Sequence, residues 1–208
     1  MNSLRLDQVS KRYKKHWIFR NLSLKLQLGE SLYVSGPNGS GKSTLLKLMS
    51  GWISPNEGKI EYIDQNQRIV DVQQVFNHIA ICTPYFELIE EFNLDEFLSF
   101  HRNFKTLNGV ETTSDFANKI EIEYNPNKPI KSYSSGMKQR IKLGLALYSN
   151  AKLVLLDEPT SNLDKNGIEW YKNSVLNQQE ERMIVVCSNN IEAEHFFCTK
   201  KIDITDFK

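Results

Sequence analysis

The sequence predicts an α/β fold with a mostly parallel sheet, an antiparallel β portion at the N-terminus and an inserted helical lobe. Three observations carry that expectation. Leu153–Leu156 and Ile184–Cys187 are short, unbroken apolar runs separated by a helix-length stretch, the pattern of parallel strands covered on both faces. Leu22, Leu24, Leu26 and Leu28 alternate strictly with Ser23, Lys25 and Gln27, which marks a sheet with one wet face. Between 86 and 132 the spacing turns helical, with Leu94, Phe97, Leu98, His101 and Phe104 on one stripe.

Size and charge set the frame. The 208 residues, 40% hydrophobic, suit one large domain or one domain with a sizeable insertion. With 26 basic and 25 acidic residues the formal charge is +1, which advertises neither a nucleic-acid nor a lipid-headgroup surface, and nucleic acid is not expected as a partner. Cys82, Cys187 and Cys198 are scattered and lack metal-ligand spacing, so buried thiols in a reducing compartment are expected. The opening residues show no charged segment followed by an apolar run, and no apolar stretch reaches the ~18–20 residues of a membrane span. A soluble chain that docks on something insoluble fits these features.

In chain order, Leu4, Leu6 and Val9 open a strand, and the basic, aromatic stretch Lys11–Arg20 leads to the alternating leucines. Leu32, Tyr33 and Val34 form a strand entering the loop Gly36–Thr44, and Leu45, Leu46, Leu48 and Met49 give the apolar face of a helix leaving it. Segments 59–63 and 67–72 are expected to pair as a hairpin around Asp64-Gln65-Asn66, with a further strand at 78–82. Asn93 and Glu96 are spaced as a helix cap and its reciprocal partner, a second short helix is expected over 114–120, and Pro126 and Pro129 make 124–131 a loop. Helices from Gly136 to about Tyr148 and over 165–179 frame the two apolar strands, and alternating Ile202 and Ile204 suggest a closing strand. The expected division is thus 1–85 and 136–208 as α/β core, with about 86–135 as the helical subdomain.

The loop Gly36, Pro37, Asn38, Gly39, Ser40, Gly41, Lys42, Ser43, Thr44 satisfies Gly-x-x-x-x-Gly-Lys-Ser/Thr without a mismatch. Its glycines let successive backbone N–H groups converge on phosphate oxygens, Lys42 adds a charge that reaches the β- and γ-phosphates, and the Ser43 hydroxyl suits a Mg²⁺ held by them. A helix N-terminus behind the loop favours an anion. Asp157, ending an apolar strand, is placed to hold Mg²⁺, and Glu158 beside it is the best general base for a water attacking the γ-phosphate. Ser134, Ser135 and Gly136, at the start of a helix, form a second anion site.

In this order the motifs resemble the nucleotide-binding subunit of ATP-binding cassette (ABC) transporters, members of the P-loop NTPase superfamily, over essentially the full chain. Tyr133, Ser134, Ser135, Gly136 and Met137 look like a variant of the family signature Leu-Ser-Gly-Gly-Gln, just before Asp157-Glu158, and Ser161-Asn162-Leu163-Asp164 resembles the loop that follows. The resemblance implies an ATPase with ATP and Mg²⁺ clasped between two copies, or two paired ATPase subunits, in a head-to-tail dimer. It implies a separate integral membrane subunit as partner and a cytoplasmic, peripheral location on the inner face of the cell membrane. Tyr13 occupies the family's adenine-stacking position; an ordinary half-buried tyrosine, or Trp17 in its place, is the alternative.

Two positions depart from the family pattern. Asn189 stands where a histidine usually touches the γ-phosphate; it can donate a hydrogen bond but cannot titrate. Tyr85 stands nearest the place of a glutamine that senses metal and water. Both changes touch catalysis, so slow turnover, a non-hydrolysing ATP switch, or a soluble family member not tied to transport remain as alternatives. Around Tyr85–Phe92, rings mix with Glu87, Glu90 and Glu91, which suits a basic amphipathic helix of the membrane subunit or, alternatively, packing of the helical lobe.

Overall fold

The computed structural model describes residues 1–208. Two sheets form. β1 (Ser3–Tyr13), β2 (His16–Gln27) and β4 (Glu57–Ile63) make an antiparallel sheet in the order β2-β1-β4. β3 (Ser31–Ser35), β5 (Ile79–Cys82), β6 (Leu153–Asp157), β7 (Met183–Cys187) and β8 (Lys200–Asp203) make a parallel sheet in the order β5-β6-β7-β3-β8.

The unbroken apolar runs of β6 and β7 are explained by what covers each face. Leu153, Leu155, Met183, Val185 and Cys187 point into a core shared with α1 (Lys42–Met49) and the antiparallel sheet. Val154, Leu156, Ile184 and Val186 point the other way, into a core shared with α5 (Ser135–Leu147), α6 (Lys165–Leu176) and the helical lobe. Side chains alternate across a strand, so a strand with two buried faces is apolar along its length, and β6 turns polar only at its last residue, Asp157. The leucines of β2 behave differently: Leu22 and Leu26 are buried and Leu24 half-buried, while Ser23, Lys25 and Gln27 reach outward or lie partly covered.

The lobe contains α3 (Leu94–Arg102) and α4 (Thr113–Lys119), and each begins with a reciprocal cap. Asn93 accepts from Glu96 N while the Glu96 carboxylate accepts from Asn93 N, both at 2.9 Å. Thr112 and Asp115 repeat the device. Phe116 and Ile120 pack onto α5 at Gly144, where a Cβ would meet the Ile120 side chain at 2.3 Å.

Two expectations need correction. Residues 67–72 do not form a strand: a single antiparallel bridge, Ile63 to Ile69, closes the turn, and α2 (Val72–Val75) starts at once. The cause is local, because the Asp64 carboxylate accepts from the N–H of Asn66 and Arg68, tightening the turn, and Asp71 caps α2 through Gln73 N at 2.9 Å. At the C-terminus β8 ends at Asp203, whose side chain accepts from Thr205 N, so Ile204 falls in a 3₁₀ turn and is buried under the phosphate loop instead of continuing the strand.

Candidate active site

The phosphate loop sits between β3 and α1, at the C-terminal edge of the parallel sheet. Gly36 and Gly41 have φ of +145° and +116°, and each abuts a side chain: a Cβ on Gly36 would lie 2.7 Å from Ile204, one on Gly41 2.5 Å from Ile18. Only glycine satisfies both constraints. The loop lines a cleft of about 430 Å³ together with Ile18, Pro84, Tyr85, Asp157 and Glu158. Ile18 and Pro84 were not foreseen from sequence, since neither carries chemistry and only folding brings them to the rim.

Lys42 is 5% exposed, and its ammonium donates to Gly36 O at 2.6 Å, Pro37 O at 3.2 Å and Asn189 Oδ1 at 2.7 Å. An ammonium has three protons, so every donor is engaged. The same Asn189 donates through Nδ2 to Glu158 Oε1 at 2.6 Å. A lysine can only donate and a carboxylate can only accept, so the amide orientation is dictated by its two neighbours. Asn189 thus bridges the Lys42 ammonium and the Glu158 carboxylate.

Ser43 Oγ donates to Asp157 Oδ2 at 2.7 Å. Burial pushes the Asp157 carboxyl above the usual carboxylate range, Glu158 adds to the rise, and the Ser43 hydrogen bond partly offsets it. A hydroxyl and a buried carboxylate side by side form a hard oxygen donor pair of the kind that would hold Mg²⁺. Ser40 Oγ is buried without a partner within the same loop. These residues fit a Mg²⁺-bound phosphate group.

The second expected anion site lies elsewhere. Ser134 caps α5, its hydroxyl accepting from Met137 N at 3.2 Å, and Ser134–Met137 line a separate cleft of about 360 Å³ with Asn162–Asp164, Arg140 and Glu121. The two clefts share no residue. Tyr13 ends β1 with its ring 48% exposed and the Lys11 ammonium 5.5 Å from it; it does not line the phosphate cleft. Trp17 is flanked by the guanidinium groups of Arg12 and Arg20, at 5.3 and 4.8 Å from its ring. His195, on α7 (Glu192–His195), stacks on Tyr33 at 3.8 Å and takes no part in the cleft.

A parallel sheet with a glycine-bounded phosphate loop at its edge defines a nucleoside-triphosphate-binding α/β domain. Comparison narrows the class. The family model described as ABC transporter matches residues 19–161. The lantibiotic transport ATP-binding protein SrtF of Streptococcus pyogenes is 31% identical over 199 residues, covering 92% of this chain and 82% of that protein. A solved ATP-binding subunit of an ABC transporter has a TM-score of 0.81 at 20% identity, over 96% of this chain and 85% of that one. The ATP-binding cassette MJ0796, solved as a dimer in a post-hydrolysis state with ADP and Pi, has a TM-score of 0.76 at 24% identity, over 93% and 90%. The chain belongs to the ABC transporter family, as an ATP-binding ATPase subunit.

Proposed function

We propose that this subunit pairs head to tail with a second ATPase subunit, clasping two ATP–Mg²⁺ between them, and drives a membrane-embedded partner from the cytoplasmic face. The observation that carries the pairing is the separation of the two clefts: Lys42, Asp157 and Glu158 stand in one and the Ser134–Gly136 helix start in the other, with no shared lining. A two-fold partner that sets its helix start over this chain's phosphate cleft completes both sites at once.

In that pair, Asn38–Thr44 hold the phosphates through backbone N–H groups, and Lys42 binds the β- and γ-phosphates once the γ-phosphate replaces Asn189 as its third acceptor. Mg²⁺ held by Ser43 and Asp157 supplies charge neutralisation on the phosphate oxygens. Glu158 takes a proton from the attacking water, and the Asn189 amide donates to the developing charge. The partner's Ser134, Ser135 and Gly136 positions face the γ-phosphate, and Tyr13 stacks on adenine after the β1–β2 tip folds toward the cleft.

Glu158→Gln protein is expected to elute as a dimer with ATP and Mg²⁺ and as a monomer without them. Persistent monomers at high concentration would remove the pairing.

The docking surface follows from where apolar side chains are left uncovered. Of the 12 exposed large hydrophobic side chains, eight lie between Trp52 and Phe104. Trp52, Tyr85 and Phe86 converge on a cleft that also contains Glu87, whereas Leu88, Ile89 and Phe92 pack into the lobe. The expected groove is therefore divided: its first two rings are free and the remainder is core. Glu90 pairs with Lys138 at 2.6 Å, so reversing Glu87 and Glu91 is the cleaner test. That double reversal is expected to weaken co-purification with the membrane subunit, and unchanged recovery rejects the surface.

A second reading, a slow ATP switch, is favoured by one contact: Asn189 fills the place at Lys42 that phosphate must take. Loss of one well-placed transition-state donor costs ~10²–10³ in rate. Steady-state phosphate release by wild type beside Glu158→Gln separates the two readings.

A further inference from the structure

Glu194 is a carboxylate with 0% exposure on α7, and no step above touches it. Its Oε1 accepts from the Thr160 N–H at 3.0 Å and from the Thr160 hydroxyl at 2.7 Å, while Oε2 has no partner. A buried carboxylate is costly, and packing alone is better served by an apolar side chain. What it grips shows what it is for.

Thr160 stands two residues after Glu158, whose φ of +48° is left-handed. For a residue with a Cβ such a conformation is strained and persists only where the surroundings enforce it. The turn is held by Glu158 N to Cys187 O at 2.9 Å, Ser161 N to Glu158 O at 3.1 Å, Gln139 Nε2 to Pro159 O at 2.9 Å, and the double grip of Glu194 on Thr160. Of these, only Glu194 brings a carboxylate acceptor, whose hydrogen bonds are the stronger kind.

The element that carries Glu194 is itself fixed. Tyr171 donates to Glu194 O at 2.8 Å, and the neighbouring His195 stacks on Tyr33. It also begins three residues after Asn189, which donates to the Glu158 carboxylate at 2.6 Å. One short segment therefore contacts the Glu158 turn twice, at the side chain through Asn189 and at the backbone through Glu194 and Thr160.

We propose that Glu194 is a positioning residue: through Thr160 it locks the left-handed turn that aims Glu158 into the phosphate cleft. The inference rests on Glu158 being the general base, as proposed above.

The test uses the full chain, with ATP and Mg²⁺. Glu194→Ala is expected to lower kcat ~10²-fold with KM unchanged, since a small misplacement of a reacting group costs that much. Its Thr160 amide exchanges faster with solvent, a readout independent of turnover. Glu194→Gln keeps an oxygen acceptor for Thr160 and restores most of the rate. Thr160→Val, which keeps the backbone donor and loses the hydroxyl, gives an intermediate fall and serves if Glu194→Ala does not fold.

Wild-type kcat in Glu194→Ala and Thr160→Val overturns the proposal, as does a loss in which KM moves with kcat or which Glu194→Gln fails to rescue. Glu158→Gln measured in parallel separates the two assignments. If it turns over like wild type, the base is wrong; if it is inactive while Glu194→Ala is not, only the positioning role is wrong.

Discussion

The phosphate cleft and the serine-glycine cleft are both built at a helix N-terminus, yet they differ in how far they are finished. Around Lys42 every proton already has an acceptor, Ser43 is bonded to Asp157, and Asn189 ties the cation to Glu158. Around Ser134 the helix cap is satisfied and Arg140 is bonded to Glu121, but Ser135 faces solvent with no hydrogen bond from its side chain to the rest of the chain. A site closed on itself can take up its ligand within one chain and must exchange internal bonds for phosphate contacts as it does. A site whose serine-glycine rim is left open acquires its role when something is brought to it.

The sharpest way to break this contrast is a charge in the open cleft. Ser135→Asp places a carboxylate in the first turn of α5, where the helix dipole favours it, so the fold is retained. In a completed pair it repels the γ-phosphate, and ATP turnover is expected to fall ~10²-fold or more, the scale of losing one electrostatic stabiliser. Binding of ATP–Mg²⁺ to the single chain, measured by calorimetry at low protein concentration, is expected to stay at the wild-type value. Lys42→Ala is the opposite case: it removes charge-assisted bonds worth about 1.5–3 kcal/mol each, so binding itself is lost. If both variants lost binding alike, the two clefts would not be separable.

The same contrast explains what the sequence could and could not reveal. Gly36, Gly41, Lys42 and Ser43 are legible because backbone curvature, charge and a hydroxyl are demanded at fixed spacing within nine residues. The two faces of β6 and β7 are legible because a doubly covered strand is apolar on both sides up to its end. Ile18 is not legible: its part is to fill space against Gly41, which requires knowing that β2 crosses the loop. Glu194 is equally silent, since a glutamate in a helix is ordinarily solvated and its burial is a tertiary fact. The strand expected at 67–72 does not form because Ile69, Val70 and Val72 suit a strand while Asp71, a single cap, redirects the chain into a helix. Asn189 was legible as a departure from the family pattern, but its bridge between Lys42 and Glu158 depends on β3 and β7 being neighbours.

A smaller effect is expected at the rim. Tyr13 is half-exposed and outside the cleft, so its value depends on the hairpin tip moving when adenine arrives. Tyr13→Ala is expected to weaken ATP binding by about 1–3 kcal/mol, the worth of one base stacked on an aromatic ring. Trp17→Ala is expected to leave it unchanged, because that ring already carries the guanidinium groups of Arg12 and Arg20 at 5.3 and 4.8 Å. The reverse result would move the base to Trp17.

The smallest change concerns stability, and it tests whether the closed cleft carries a cost for its chemistry. Asp157 is 4% exposed and its carboxyl titrates above the ordinary carboxylate range, chiefly through burial. A carboxyl whose folded value is raised binds its proton more tightly in the folded state, so the fold loses stability as pH rises from the ordinary value through the raised one. Above the raised value that deficit is fully present. Asp157→Asn keeps an oxygen to accept from Ser43 and removes the buried charge, so the nucleotide-free protein is expected to gain about 1 kcal/mol. The advantage shrinks as pH is lowered through the Asp157 titration, because protonated aspartate and asparagine are then alike in charge. With ATP and Mg²⁺ the ranking reverses, since the wild-type carboxylate gains a cation and the amide does not. A nucleotide-free Asp157→Asn protein that melts below wild type at neutral pH would show that the Ser43–Asp157 contact outweighs desolvation, and that this cleft is stabilised by its charges and not in spite of them.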